Sequence, residues 1–172
     1  GPVVGALVRP FGGWLSDRLG GARVTFWNFA VMLAAMVAAL IFLPSESGDH
    51  EIARFFAAFM LIFITTGIGN GSVFRVVPTV FLALHKRRAE GKDQAVREAE
   101  ISQGEIEASV ALGFTAAIAA LGLFFIPAMV AISIQATGTL RFALTFFIAF
   151  YATCLFVTWW WYRREGAEAR CD

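Results

Sequence analysis

Long apolar runs alternate with short charged stretches along the whole chain. Residues 1–16 are mostly apolar and resemble the end of a transmembrane helix that begins upstream, so we expect the chain to be a segment of a longer protein. A membrane-spanning helix needs about 20 predominantly apolar residues. Four further runs meet that requirement: 24–43, 53–84, 108–135 and 140–162. The pattern predicts an all-α membrane protein, a partial helix bundle.

The charged stretches predict where the chain turns between these spans. They give the connections 17–23, 44–52, 85–107 and 136–139 and a terminal tail, 163–172. We interpret 85–107 as a solvated linker that contains His85, with Ser102 and Glu105 forming a capping box that opens the next helix. The span 53–84 is longer than a bilayer needs, so it should tilt, bend near Pro78 or extend beyond the bilayer.

Composition agrees with a membrane protein and narrows the function. The chain is 58% hydrophobic and 16% charged, whereas soluble domains are about a quarter charged. Its net charge of +1 gives no indication of nucleic-acid binding. The two cysteines, Cys154 in a span and Cys171 in the tail, predict neither a disulfide nor a metal site.

The distribution of basic residues predicts the orientation in the membrane. Ten of the fourteen lysines and arginines lie in 17–23, 85–107 and 163–172, and only Arg54 and Arg141 lie at the opposite side. By the positive-inside rule the first set of connections is cytoplasmic, and so is the C-terminus. The segment 44–52 and the turn 136–139 then face the periplasm.

Arg9 is a permanent cation within an apolar stretch, because a guanidinium does not lose its proton in proteins. Such a residue is costly in a membrane and normally faces a polar cavity. Two interpretations are open. Arg9 could extend to the headgroups or pair with a carboxylate, or it could bind an anion. Since Asp17 is about 12 Å away along a helix, and the predicted spans contain no carboxylate, we favour the anion.

Gly67, Gly71 and Arg75 recur at four-residue spacing and share one helix face. Small residues at this spacing allow close helix packing. We favour a packing face whose Arg75 reaches the cytoplasmic interface over a gating role for that arginine. Asn70 and Ser72 are polar residues at membrane depth that could hydrogen-bond between helices. Asn70 either packs between helices or lines a substrate path.

The run from Gly113 to Gly122 is rich in small residues and includes Thr115. It could serve ordinary helix packing, or its bare backbone could approach a bound ion closely. Periodicity does not separate these interpretations.

Asp17, Arg18 and Arg23 lie in a glycine-rich turn, where we expect them to act in conformational gating without contacting substrate. No phosphate-binding loop, metal-ligand cluster or Ser/His/Asp arrangement occurs in the sequence, so an enzyme or a bound cofactor has little support. No Asp, Glu or His lies in a predicted span, so the chain offers no obvious proton carrier.

Four stretches carry a family resemblance. The turn from Gly13 to Arg23, Gly-x-x-Ser-Asp-Arg-x-Gly-x-x-Arg, is similar to the cytoplasmic signature loop of the major facilitator superfamily between helices eight and nine. The stretches beginning at Gly5 (Gly-Ala-Leu-Val-Arg-Pro-Phe-Gly-Gly), Gly67 (Gly-Ile-Gly-Asn-Gly-Ser-Val-Phe) and Ala111 (Ala-Leu-Gly-Phe-Thr, continuing to Pro127) resemble the nitrate/nitrite porter family. The last one resembles its second nitrate signature.

The resemblance implies a twelve-helix transporter of two six-helix halves, of which this chain is the end of helix eight through helix twelve. In that family, one arginine from each half clamps the anion, with signature glycines nearby. Arg9 matches the arginine of the C-terminal half, and Gly113 matches the glycine of helix eleven. The partners implied are nitrate or nitrite, the bilayer of a bacterial inner membrane and the N-terminal half of the same transporter.

The sequence favours nitrate/nitrite exchange by alternating access over proton symport, because no protonable group lies in these spans. Two alternatives stay open. A transporter for another small anion, such as a carboxylate, would keep Arg9 but give Gly113 no role. A non-transporting sensor or scaffold would lack a second intramembrane arginine upstream.

Overall fold

Within the described residues, the chain forms five α-helices and no β-strand. The computed structural model describes residues 1–44 and 49–160, excepting the side chains of 49–51. The helices are α1 (Pro2–Leu19), α2 (Gly21–Ile41), α3 (Asp49–Arg88), α4 (Gln94–Thr137) and α5 (Arg141–Thr158). The tail 163–172, residues 45–48 of the predicted connection 44–52 and residues 161–162 of the predicted span 140–162 lie outside the described residues.

Four of these helices, α2 to α5, are long and apolar enough to cross a membrane. α3 continues without interruption through Pro78 and has 40 residues. At 1.5 Å per residue it is about 60 Å long, roughly twice the hydrocarbon thickness of a bilayer. The chain is therefore an all-α, multi-pass membrane protein whose third helix extends well beyond the apolar layer.

The connection expected over 17–23 is reduced to one residue. α1 continues to Leu19 and α2 begins at Gly21, leaving only Gly20 between them. Gly20 has φ 84° and ψ 131°, a backbone conformation that side chains with a Cβ rarely adopt. A single glycine thus reverses the chain, and the charged residues on either side of it are helical.

The loop expected over 85–107 is also mostly helical, since only 89–93 separates α3 from α4. Lys, Arg, Glu, Gln and Ala are good helix formers, and pairs such as Gln94 and Glu98, 3.2 Å apart, support α4 from its own surface. The expected capping box was wrong, because Ser102 lies within α4 and Asp93 precedes its first residue. His85, expected in a solvated linker, is buried.

The helices alternate in direction, as successive membrane crossings do. Contacts rise together along α1 and α3, from Gly5 beside Phe63 to Asp17 beside Arg75, so these two helices are parallel. α2 is antiparallel to α3, and α5 is antiparallel to α2. The apolar core lies among α2, α3 and α5 and is centred on Met36, Ala39, Ala58 and Leu144.

α4 is the helix least covered by the rest of the described chain. Only 6% of its most apolar 18-residue window is buried. Its large side chains there are exposed, among them Phe114, Leu121 and Phe124. α4 contacts its neighbours mainly near its two ends, at His85 of α3 and around Ser133 beside Ala143 of α5.

Candidate functional site

α1 and α3 approach each other closely along a face of small residues. A Cβ added at Gly67 would collide with the backbone of Gly5, and one added at Gly71 would collide with the backbone of Arg9. A Cβ at Gly12 would likewise meet the backbone of Ile68. The four-residue spacing of Gly67 and Gly71 predicts such a packing face, and the structure shows it.

A polar contact continues this interface and confirms the interhelical hydrogen bond expected of Ser72. Ser16 Oγ lies 2.6 Å from Ser72 Oγ in a buried hydrogen bond. Thr25 Oγ1 of α2 lies 3.5 Å from the same Ser72 oxygen, so three helices meet at this hydroxyl. Sequence reasoning did not identify Ser16 as the partner of Ser72, although Gly5, Gly12 and Ser16 lie at helical spacings that place them on one face of α1.

Asp17, the residue after Ser16, forms an ion pair with Arg75, which follows Ser72 by three residues. Arg75 Nε donates to both carboxylate oxygens of Asp17, at 2.9 and 3.0 Å. Both side chains are well exposed, at 63% and 46%, so the pair joins α1 to α3 at a surface that water or another part of the protein can reach. Arg18 instead places its guanidinium 4.4 Å from the centre of the Trp14 ring.

Arg9 has its backbone packed and its side chain exposed. Its carbonyl lies against Gly71, which leaves no room for a side chain at that position of α3. Its own side chain lies on the exposed surface of α1. Among the side chains that the structure describes, no carboxylate forms an ion pair with the Arg9 guanidinium.

The other residues predicted to bind substrate are not gathered around Arg9 in this chain. Asn70 lies half-buried on α3 next to Gly71. Gly113 and Thr115 are exposed on α4, and the Thr115 hydroxyl donates to the Ala111 carbonyl at 2.8 Å. A Cβ at Gly113 or at Gly122 would meet nothing within 4 Å. The expected close approach to an ion at Gly113 therefore requires a surface beyond the described residues.

An apolar cavity of about 490 Å³ lies elsewhere, among α1, α2 and α3. It is lined by Trp27, Asn28 and Thr65 but by none of the predicted substrate-binding residues. Asn28, which the sequence analysis did not single out, is only 7% exposed, and its amide nitrogen would lie 2.7 Å from a Cβ at Gly69. Gly69 thus makes room for a polar side chain at the α2–α3 contact. Arg23 also lines this cavity.

The chain is similar to several known proteins whose names refer to nitrate or nitrite transport. The chain is 38% identical over 166 residues to the nitrate/nitrite transporter NarU of Escherichia coli (strain K12), covering 96% of this chain and 35% of that protein. It is 34% identical over 172 residues to the probable nitrate/nitrite antiporter NarK2 of Thermus thermophilus, covering 99% of this chain and 33% of the relative.

A third relative is the probable nitrate transporter NarT of Staphylococcus aureus (strain Newman), which is 30% identical over 163 residues, 95% of this chain and 34% of the relative. No protein-family model matches the chain. The chain therefore spans about a third of the length of the curated relatives that it matches.

Proposed function

We propose that this chain is a segment of a nitrate/nitrite porter, about a third the length of the relatives that it matches, and that the transporter containing it moves nitrate, nitrite or both by alternating access. It would supply most of the C-terminal half and no enzymatic activity. The transporter would lie in a bacterial inner membrane with its C-terminus in the cytoplasm. An N-terminal half of the same protein would complete the substrate site.

The observation that carries the proposal is the position of Arg9. Its backbone is fixed by the tight contact with Gly71, while its charged side chain has no carboxylate partner in the described chain. A planar oxyanion suits a guanidinium, because the fork offers paired N–H donors. Arg9 would therefore form one half of a positive clamp, and bound anion would neutralise it and let the two halves approach.

The remaining predicted residues take supporting roles in this proposal. Asn70 on α3 and Gly113 and Thr115 on α4 would line the path of the anion. Gly67 and Gly71 would hold α1 against α3, and Gly122 would keep α4 narrow where the other half packs. Asp17 and Arg75, with Arg18 and Arg23 nearby, would act in gating at the cytoplasmic surface.

Counterflow in liposomes tests the transport proposal. Liposomes containing the full-length transporter are loaded with nitrite, and labelled nitrate is supplied outside. We expect nitrate uptake that requires internal nitrite, is abolished in Arg9→Ala and is retained in Arg141→Ala, a variant that removes an exposed arginine outside the proposed site. Folded protein that takes up no nitrate, with or without a pH gradient, would refute the proposal.

Two further readouts identify the substrate and the role of the small-residue run. A carboxylate that competes with nitrate more strongly than nitrite does would favour the transporter of another small anion. Gly113→Ala should slow uptake without lowering stability, because its methyl group meets nothing in the described chain. Normal uptake by Gly113→Ala would remove Gly113 from the proposed site.

A further inference from the structure

His85 is a buried histidine held between two carboxylates of the next helix. It lies near the end of α3 and is only 1% exposed. Its Nδ1 is 3.1 Å from Glu100 Oε2, and its Nε2 is 3.1 Å from Glu107 Oε2. Glu100 and Glu107 are seven residues apart and therefore share one face of α4. We call this arrangement the His85 clasp.

With both glutamates ionised, the geometry of the clasp fits only the charged form of the imidazole. Ionised carboxylates only accept hydrogen bonds, and only the imidazolium ion donates from both ring nitrogens. A neutral ring would direct one nitrogen lone pair at a carboxylate 3.1 Å away. Deprotonation therefore replaces one attractive contact with a repulsive one while the other hydrogen bond stays in place.

The surface of α4 is shaped to hold the ring. Gly104 lies between the two glutamates, and a Cβ there would be 3.0 Å from His85 Cδ2 and 3.1 Å from its Cβ and Cγ. The absence of a side chain at Gly104 thus lets the imidazole lie directly on the helix. The clasp is a fitted contact between two helices, unlike the flexible ion pairs of exposed side chains.

The charges around the clasp come from three parts of the chain. On α4 they are Glu100 and Glu107. In the connection 89–93, Lys92 Nζ lies 3.0 Å from the other carboxylate oxygen of Glu100. On α3, Arg88 is close enough to oppose protonation of the ring. Because two carboxylates contact His85 directly, their effect on the ring is larger than that of Arg88, and together these charges favour the protonated imidazole.

We propose that the His85 clasp is a pH-sensitive contact that holds the first half of α4 against α3 while the imidazole is protonated and releases it as the pH rises. α4 is poorly covered elsewhere in its first half, and the connection between the two helices is only 89–93. After release, this part of α4 would be held in position only by the short linker and by whatever covers its apolar face.

The direction of the pH response follows from the two kinds of group. Hydrogen bonds to Glu107 and then Glu100 raise the pKa of His85 above its ordinary value of 6.5. The stabilisation that protonated His85 provides is thus complete below that ordinary value, and it is lost as the pH rises through the raised pKa. Lys92 first, and then His85, lower the pKa of Glu100. Its contribution is therefore lost only at acidic pH, as the pH falls through that lowered pKa.

The clasp joins two helices that carry residues of the proposed anion site. α3 bears Asn70 and also Gly71, which packs against the backbone of Arg9. On α4, Gly113 follows Glu107 by six residues, about 9 Å along the helix. An effect of the clasp on transport rests on the proposed function. The pH-dependent distance between α3 and α4 does not depend on it.

Distance measurements between spin labels test the clasp directly. Labels are attached at Lys86→Cys and Ser109→Cys in the full-length transporter, in a background in which Cys154 and Cys171 are replaced by alanine. Double electron–electron resonance is recorded in nanodiscs between about pH 6 and 9, the range in which a raised histidine titrates. We expect one narrow distance distribution at the acidic end that broadens and shifts as the pH rises.

Three variants identify the titrating group. Glu107→Gln should move the midpoint of the change to lower pH, because it removes the carboxylate that raises the histidine pKa most. His85→Gln should abolish the pH dependence. Glu105→Gln removes an equal charge two residues from Glu107 without touching His85, so its midpoint should match that of the parent protein. If His85→Gln does not fold, Glu107→Gln still decides the question.

A distribution that does not change between these pH values, or that changes equally in His85→Gln, would overturn the clasp. Nitrate counterflow measured in parallel on the same labelled protein separates this proposal from the proposed function. A pH-dependent distance in a protein that moves no nitrate supports the clasp and refutes nitrate transport. Nitrate transport by a protein in which the distance does not change with pH supports the proposed function and refutes the clasp.

Discussion

The individual glycines of this chain divide into two kinds, according to what a methyl group would meet. Gly67 and Gly71 lie against the backbone of α1, whereas Gly113 and Gly122 face open space in the described chain. Sequence alone cannot make this distinction, because both pairs occur in runs of small residues within apolar helices. The first pair determines the distance between α1 and α3, and the second leaves the surface of α4 narrow.

The contrast predicts opposite effects on stability for the same substitution. Gly71→Ala should destabilise the full-length protein, because overpacking a tight contact costs about 1–3 kcal/mol. Gly113→Ala should leave stability unchanged or raise it by up to about 1 kcal/mol, the gain in helix propensity. Thermal unfolding in detergent compares the two. Equal or greater stability of Gly71→Ala than of Gly113→Ala would contradict the packing described for α1 and α3.

At the scale of helices, α1 and α3 form one unit that extends from the Gly5–Gly67 contact to the Asp17–Arg75 ion pair. Arg9 lies in the middle of that unit, with Ser16 and Ser72 between it and the ion pair. A movement of α1, and with it Arg9, relative to α3 would have to open these close contacts. The unit is therefore suited to move as a rigid body during the proposed alternating access.

The ion pair predicts a compensating pair of substitutions. Asp17→Arg alone should impair nitrate counterflow, because it places two guanidinium groups together at the α1–α3 surface. Adding Arg75→Asp should restore much of the uptake by reversing the pair. Transport rates of the two single variants and the double variant, at matched amounts in the membrane, provide the measurement. A double variant no better than the worse single variant would show that the pair itself does not matter.

The apolar runs were sufficient to predict the existence and order of the helices. Several helix ends were placed wrongly, because polar stretches that are helical were assigned to connections. The stretch 94–107 is polar but contains strong helix formers, so α4 begins well before the apolar run. The His85 clasp was beyond sequence reasoning for a different reason. It depends on the room left by Gly104 opposite a residue of another helix, which no local pattern reveals.

The candidate site was predictable only where a residue conflicts with its surroundings. Arg9 stands out because a permanent cation is unusual in an apolar helix. Asn28 has no such conflict, since it is a small polar residue whose burial depends on the helix packed against it. Sequence reasoning therefore singled out the cation Arg9 and the polar Ser72, and it missed the burial of Asn28 and the pairing of Ser72 with Ser16.

For the molecule as a whole, the alternating directions of the helices bring the basic ends together. α1 and α3 are parallel, and their ends carry Arg18, Arg87 and Arg88, close to the start of α2 at Arg23. The same end of the bundle contains Lys92 in the connection to α4. The clustering of positive charge predicted from the sequence is thus compatible with a single cytoplasmic surface.

This arrangement predicts that the C-terminus lies in the cytoplasm. A green fluorescent protein fused after Asp172 should fluoresce, because it matures in the cytoplasm, and alkaline phosphatase at the same position should be inactive. Fusions inserted between Gly138 and Thr139 should show the reverse. Active phosphatase at the C-terminus would overturn the proposed orientation and, with it, the assignment of the His85 clasp to the cytoplasmic side.

We expect Arg9 to bind the transported anion, and equilibrium binding of nitrate to the purified full-length transporter measures this contribution. Arg9→Lys keeps the charge but loses the paired donors. It should bind nitrate at least about tenfold more weakly, since a charge-assisted hydrogen bond is worth about 1.5–3 kcal/mol. Arg141→Lys should bind as the parent protein does. Unchanged nitrate affinity in folded Arg9→Lys would show that the paired donors of Arg9 do not bind the anion.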